Sequence, residues 1–419
     1  MTLKKSKIKQ KIVEIESIYE TTEKNQITKG KWKSNIWKSY LIHFIEGFHL
    51  ISGILLPFFL TWGKLTFVGV MILQSYFTIM ILVFEIPCGA IADCISRKFS
   101  LLLGALSIAF AALIYGSYPN IFIFAIGETL WAFGTALTSG TDQAFIYDTL
   151  KKLGREDDVS KVMGRNRSFN LFGIGISAPI GSIIGTYYAL NVVMSLIFVP
   201  FILATLISLT LKEPNHDLEK NNRENYLSVV KSGITELTKN KILRMLALEM
   251  IITESLVFFL IWTYQIYLEA LTVQLIYFGF VSTSMTIIQI LFNNIVSTLE
   301  GKISNKKRFL QVYTIIPGLG FILMSVIYFI PISIPLILIV IGFGFTRSLI
   351  FVKGVNKQIE TENRATVIST INMMASFIRA ILYPFVGILV MWNLNMTFII
   401  LGIIITMSAL ITRIKSEYL

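Results

Sequence analysis

The chain has 419 residues, 54% hydrophobic and only 15% charged, whereas soluble domains carry roughly 25% charged residues. With a mean hydropathy of +0.69, that composition excludes a soluble globular protein and leaves room for about twelve apolar spans of ~20 residues. Cys88 and Cys94 lack metal-binding or disulfide spacing and read as small hydrophobes, and the net charge of +12 takes its meaning from where it falls.

Residues 1–36 form a basic tail: ten lysines fall within 1–38, with neither the apolar core nor the cleavage site of a signal peptide. A solvated tail is expected, although Ile8, Ile12, Val13 and Ile15 leave open a short helix on anionic lipid. Apolar runs suited to spanning helices follow at 37–60, 66–90, 99–117, 120–147, 165–188 and 190–211. The polar stretch 212–241 separates these from six more, at 242–268, 274–299, 309–330, 333–352, 365–391 and 394–413, with 414–419 as a tail. The expected fold is an all-α polytopic membrane protein. Its twelve transmembrane helices form two pseudo-symmetric bundles, 37–211 and 242–413, joined by a cytoplasmic linker.

Of the 37 Lys and Arg residues, 34 fall on one side of this layout; Lys64, Arg347 and Arg379 are the exceptions. The positive-inside rule then puts both termini in the cytoplasm and the chain in the cell membrane. The basicity is thus a topology signal rather than a nucleic-acid footprint. The halves also read as weak repeats, with Ile95-Ser96-Arg97-Lys98-Phe99 after the second run echoed by Ile303 to Phe309 after the eighth.

Ionisable residues inside hydrocarbon are functional candidates by default. Glu46 lies about 13 Å into the first helix at 1.5 Å per residue. His43 and His49, three residues to either side, are expected on its face as a proton-titrating cluster. Glu128 and Glu254 fall near mid-depth in helices 4 and 7, Arg347 in helix 10 and Arg379 in helix 11. Each is weighed against a plain structural pairing. Gly173-x-Gly175-x3-Pro179-x-Gly181 in helix 5 suits close helix packing with a proline kink.

Between helices 2 and 3 stands Glu85-x-Pro87-x-Gly89-x3-Asp93-x3-Arg97-Lys98. This stretch resembles the loop 2–3 signature of the major facilitator superfamily, in the variant of some tetracycline-type drug–proton antiporters. The resemblance implies alternating access about a midplane cavity lined by helices 1, 4, 7 and 10, which carry Glu46, Glu128, Glu254 and Arg347. It also implies a conformational latch of Glu85, Gly89, Asp93, Arg97 and Lys98. In that latch Asp142 is expected to meet Arg97, and Asp93 to cap helix 11 near Thr366. The helix 5 motif departs from the antiporter pattern at Ala178 and Ser182.

No HExxH, GxSxG or metal-spaced His/Cys set points to an enzyme, and no GxxxxGK[ST] phosphate loop to an ATP-driven pump. The reading is a monomeric secondary transporter in the bilayer, with a small-molecule substrate, protons as coupling partner, and neither cofactor nor metal. Multidrug-type efflux of an apolar or cationic compound is favoured, because buried acids outnumber buried cations. Proton-coupled uptake of a nutrient or peptide is the alternative, with a membrane-embedded enzyme behind it.

Overall fold

The computed structural model describes residues 30, 32–214, 226–300, 303, 305–359 and 364–419, and the 1–29 part of the basic tail lies outside them. The first half holds α1 (Trp32–Gly53), α2 (Leu55–Trp62), α3 (Phe67–Cys94), α4 (Arg97–Ser117), α5 (Ile121–Thr138) and α6 (Thr141–Lys152). It closes with α7 (Val159–Tyr187), α8 (Leu190–Leu196) and α9 (Phe198–Leu209). In the second half, α10 (Tyr226–Lys239), α11 (Lys241–Phe258), α12 (Leu260–Ala270) and α13 (Phe278–Glu300) precede α14 (Lys306–Met324). Then come α15 (Ile330–Lys357), α16 (Arg364–Trp392) and α17 (Leu394–Ile411).

Polar residues set the helix starts. The side chains of Thr66, Ser96, Asn120, Asn240, Asn305 and Asn393 accept from otherwise unpaired amides at the starts of α3, α4, α5, α11, α14 and α17. Gly140, at φ +73°, breaks α5 from α6 in a conformation that costs other residues more. Among the described residues, ten helical segments are long and apolar enough to cross a membrane, and the bent pair α1–α2 makes eleven. One further helix, α14, falls short of that apolarity because of its Lys306-Lys307-Arg308 start; it packs against α15 and α17 in the second bundle. Within the stretch 212–241, read as linker from sequence, α10 packs its Gly233 against Thr370 of α16.

The two six-helix bundles share one core in only half of the membrane. A single apolar cluster runs from Leu50, Phe58 and Phe124 in the first bundle to Phe259, Tyr383 and Phe398 in the second. Toward the end bearing the basic loops, it gives way to separate cores. One holds Ile42, Phe145 and Leu150, and the other Leu243, Ile350 and Val367. Near that end of α3, Gly89, Ala90, Asp93 and Cys94 are exposed. The bundles therefore meet far from the basic end and part toward it.

Two seams hold them together, and both exploit a proline. Pro179 has no amide to give the carbonyl four residues earlier, Gly175, and Thr283 of α13 donates to that carbonyl at 2.7 Å. Pro384 likewise frees Ala380, whose carbonyl accepts from Ser75 of α3 at 2.6 Å. A hydroxyl from the opposite bundle thus satisfies each freed group, as hydrocarbon requires. The pairs α7–α13 and α16–α3 exchange under the pseudo-twofold, so the two seams are equivalents.

Candidate functional site

Helix α1 runs straight only as far as Glu46. Gly47 turns, Phe48 and His49 leave the helix, and a 3-10 turn at Leu50–Gly53 leads to α2, 62° off the axis of α1. The cause is the approach of α7. A Cβ on Gly47 would lie 2.2 Å from the Asn170 carbonyl, and one on Gly181 would lie 1.6 Å from the Leu50 carbonyl. Polar side chains of α7 brace the backbone on both sides of the break. Asn170 donates to the His43 carbonyl at 3.2 Å, and Ser177 to that of Gly47 at 3.4 Å. At the second break, Gln265 of α12 accepts from the Leu56 amide at 2.9 Å, tying the bundles together away from the basic end. A broken helix at mid-membrane survives only where protein or a polar cavity covers it.

The break splits the cluster expected around Glu46, because the three side chains shared a face only on an unbroken helix. His43 and Glu46 line a polar cavity of about 480 Å³ that opens among Asp142, Gln143, Asn166 and Asn170. His49 belongs to a second chamber. In the first cavity the His43 Nδ1 lies 2.9 Å from the Ser39 carbonyl, which can only accept, so this nitrogen carries hydrogen. Its Nε2 faces the Asp142 carboxyl at 3.2 Å. That contact is favourable when the ring carries hydrogen on both nitrogens.

The second chamber, about 230 Å³, is lined by His49, Phe59, Gln74, Tyr115, Glu128 and Trp131. His49 packs against the rings of Trp131 and Phe201 at 5.5 and 5.4 Å. Glu128 is only 4% exposed. Gln74 donates to it at 2.8 Å, and the Tyr115 ring lines the same chamber. Among the described residues no Lys, Arg or His forms an ion pair with it, so the chamber holds a buried acid without a counter-ion.

In the second bundle one acid is matched to a cation. Arg347 pairs with Glu249 at 3.1 Å and lies over the Phe351 ring at 4.4 Å; Thr412, at the end of α17, donates to the other Glu249 oxygen at 2.6 Å. Glu254 feels Arg379 and Arg347, and Arg379 itself reaches Ser376 at 3.0 Å and the Phe258 ring at 5.1 Å.

The loop between α3 and α4 is wired differently from expectation. Arg97 pairs with Asp148 and donates to the Ala144 carbonyl at 2.8 Å, whereas Asp142 goes to His43. The break at Gly140 starts a new helix, and it is Asp148, near the far end of α6, that reaches Arg97. Glu213, not singled out in the sequence, accepts from Ser96 Oγ and the amides of Arg97 and Lys98 at 2.7, 3.1 and 2.8 Å, capping α4 as an acid should. Gly89 has open space beside it rather than a close neighbour, and Asp93 is exposed. Gln74 was also missed, although an amide inside the apolar run of α3 was a visible signal.

The family model described as Major Facilitator Superfamily matches residues 40–356. No curated protein matches the chain by sequence. Among solved structures, the nucleoside transporter NupG superposes with a TM-score of 0.75 at 15% identity, over 90% of this chain and 97% of its own. The POT family transporter PepTSo gives 0.73 at 14%, over 93% and 98%. A D-xylose–proton symporter gives 0.68 at 11%, over 93% and 99%.

Proposed function

Because the chain belongs to the Major Facilitator Superfamily, a family of transporters rather than enzymes, we propose that it is a proton-coupled secondary transporter exporting small cationic or apolar drug-like compounds. The observation that carries this reading is Glu128, a buried acid in an aromatic chamber with no cation of its own among the described residues. An isolated charge there is too costly to persist. The acid is stable with a proton, or with an organic cation whose face the Tyr115 and Trp131 rings also attract. Proton and cargo therefore compete for one site, which is the elementary requirement of antiport.

The basic end is taken as cytoplasmic, so the parted bundles represent the inward-open state. The proton held between His43 and Asp142, with Glu46 beside it, is a second coupling element on the path from the cytoplasm. In the outward-open state the basic ends close. Gly89 and Asp93, exposed here, then meet α16 near Thr366, while Arg97–Asp148 keeps the loop in register.

Asp142→Asn tests the coupling directly. An amide donates to a neutral His43 without an extra proton, so geometry is kept while the titration is lost. In proteoliposomes the variant is expected to retain substrate exchange and to lose accumulation driven by a pH gradient. Glu46→Gln is expected to behave alike. Gradient-driven accumulation at the original rate in both would remove the first cavity from the mechanism.

The second reading is proton-coupled uptake of a polar nutrient. It is favoured by the polar lining of the larger cavity, where Gln143, Asn166 and Asn170 suit hydroxyls and amides, and by the nucleoside, peptide and sugar transporters among the structural matches. A transport panel in right-side-out and everted vesicles separates the two by the direction of net flux.

A further inference from the structure

A third recess, outside both chambers, lies at the basic end between α1 and α7. It measures about 480 Å³ and is lined by Lys33, Trp37, Tyr40, Lys161 and Arg165, together with Arg155, whose charge Asp158 offsets at 2.7 Å. Among the described residues no acid pairs with Lys33, Lys161 or Arg165, so three cations share one hollow.

What adjoins the recess identifies its ligand. Arg165, Phe169, Phe172, Ile176, Ile180 and Ile183 follow one another at helical spacing along a single face of α7. Phe169 is 42% exposed and Phe172 67%. The other faces of α7 are occupied: Gly173 and Gly181 meet α1, and Gly175 and Ala178 meet α13. The exposed stripe is therefore the face left to hydrocarbon. Tyr40 joins recess to stripe, its ring stacked on Phe169 at 5.3 Å and 12°. Trp37, 54% exposed with Lys38 over its ring at 5.9 Å, marks the headgroup level, where amphipathic rings settle.

We propose that this recess binds the phosphate of an anionic phospholipid, with the acyl chains lying along the Phe169–Phe172–Ile176 stripe. Lys33, Lys161 and Arg165 neutralise the headgroup, as basic hollows between spanning helices do. Because α7 also carries the Thr283 seam, the bound lipid braces a helix that moves with its bundle.

The test is native mass spectrometry of the purified full chain with phosphatidylglycerol, phosphatidylcholine or inorganic phosphate. The wild-type chain is expected to retain phosphatidylglycerol at least tenfold better than phosphatidylcholine, undisturbed by millimolar phosphate. Lys161→Gln with Arg165→Gln is expected to weaken retention about thirtyfold, and the charge-preserving pair Lys161→Arg with Arg165→Lys to keep it. Equal retention by the wild-type and glutamine-substituted proteins would overturn the proposal. So would phosphate displacing the lipid without any preference between headgroups, the mark of a soluble-anion site.

Discussion

A Glu128→Gln variant is expected to fold, insert and bind organic cations about thirtyfold or more weaker, while neutral compounds of the same shape bind within threefold of the original. Removing one member of a desolvated charge pair costs about 2–5 kcal/mol, and each 1.4 kcal/mol is tenfold in affinity. Glutamine keeps the volume and still accepts from Gln74, which lies 2.8 Å from the native carboxyl, so the loss reports charge rather than packing. Alanine would also strip Gln74 of its buried partner and blur that distinction. Binding to the native protein should release a proton, visible with a pH dye at low buffer, and the variant should release none. Unchanged cation affinity in Glu128→Gln would reduce Glu128 to a structural hydrogen-bonding group.

The second large effect is on stability. Arg347→Leu strands Glu249 in the interior with only Thr412 for company, and breaking such a pair costs about 3–5 kcal/mol. The double variant Arg347→Leu with Glu249→Leu removes both charges and should recover most of that loss, since apolar replacements of buried pairs are often neutral. Arg347→Lys should fall between, because a lysine cannot both pair with Glu249 and lie flat over Phe351. Thermal unfolding in detergent reads all three. A single variant as stable as the parent would mean that Glu249 is solvated, contrary to the pairing described. These expectations assign Arg347 to holding α11, α15 and the end of α17 together, a role that its membership of helix 10 did not distinguish from substrate contact.

The succession of apolar spans was legible because hydrocarbon length and the placement of lysine and arginine are strong, local constraints. What stayed hidden was set by contacts between distant segments. The run 37–60 reads as one helix; only the approach of Asn170, Gly173 and Ser177 on α7 makes it break at Gly47, which moves His49 from the neighbourhood of Glu46 to that of Trp131. Asp142 was the expected partner for Arg97, and the turn at Gly140 gave that place to Asp148 instead. Pro179 was visible as a kink, whereas Pro384 was not singled out. That each frees a carbonyl for a hydroxyl of the opposite bundle required knowing which helices adjoin.

The central claim is that the two bundles rock about the seams at Thr283–Gly175 and Ser75–Ala380. Pulsed electron spin resonance distances test it most directly, with labels at Ala90 and Ser369 for the basic end and at Leu65 and Met391 for the opposite end. Cys88 and Cys94 would be replaced by alanine and the protein held in nanodiscs. On switching pH or adding substrate, the account predicts that the first distance shortens as the second lengthens. Distances that stay fixed, or that change in the same sense, would contradict it.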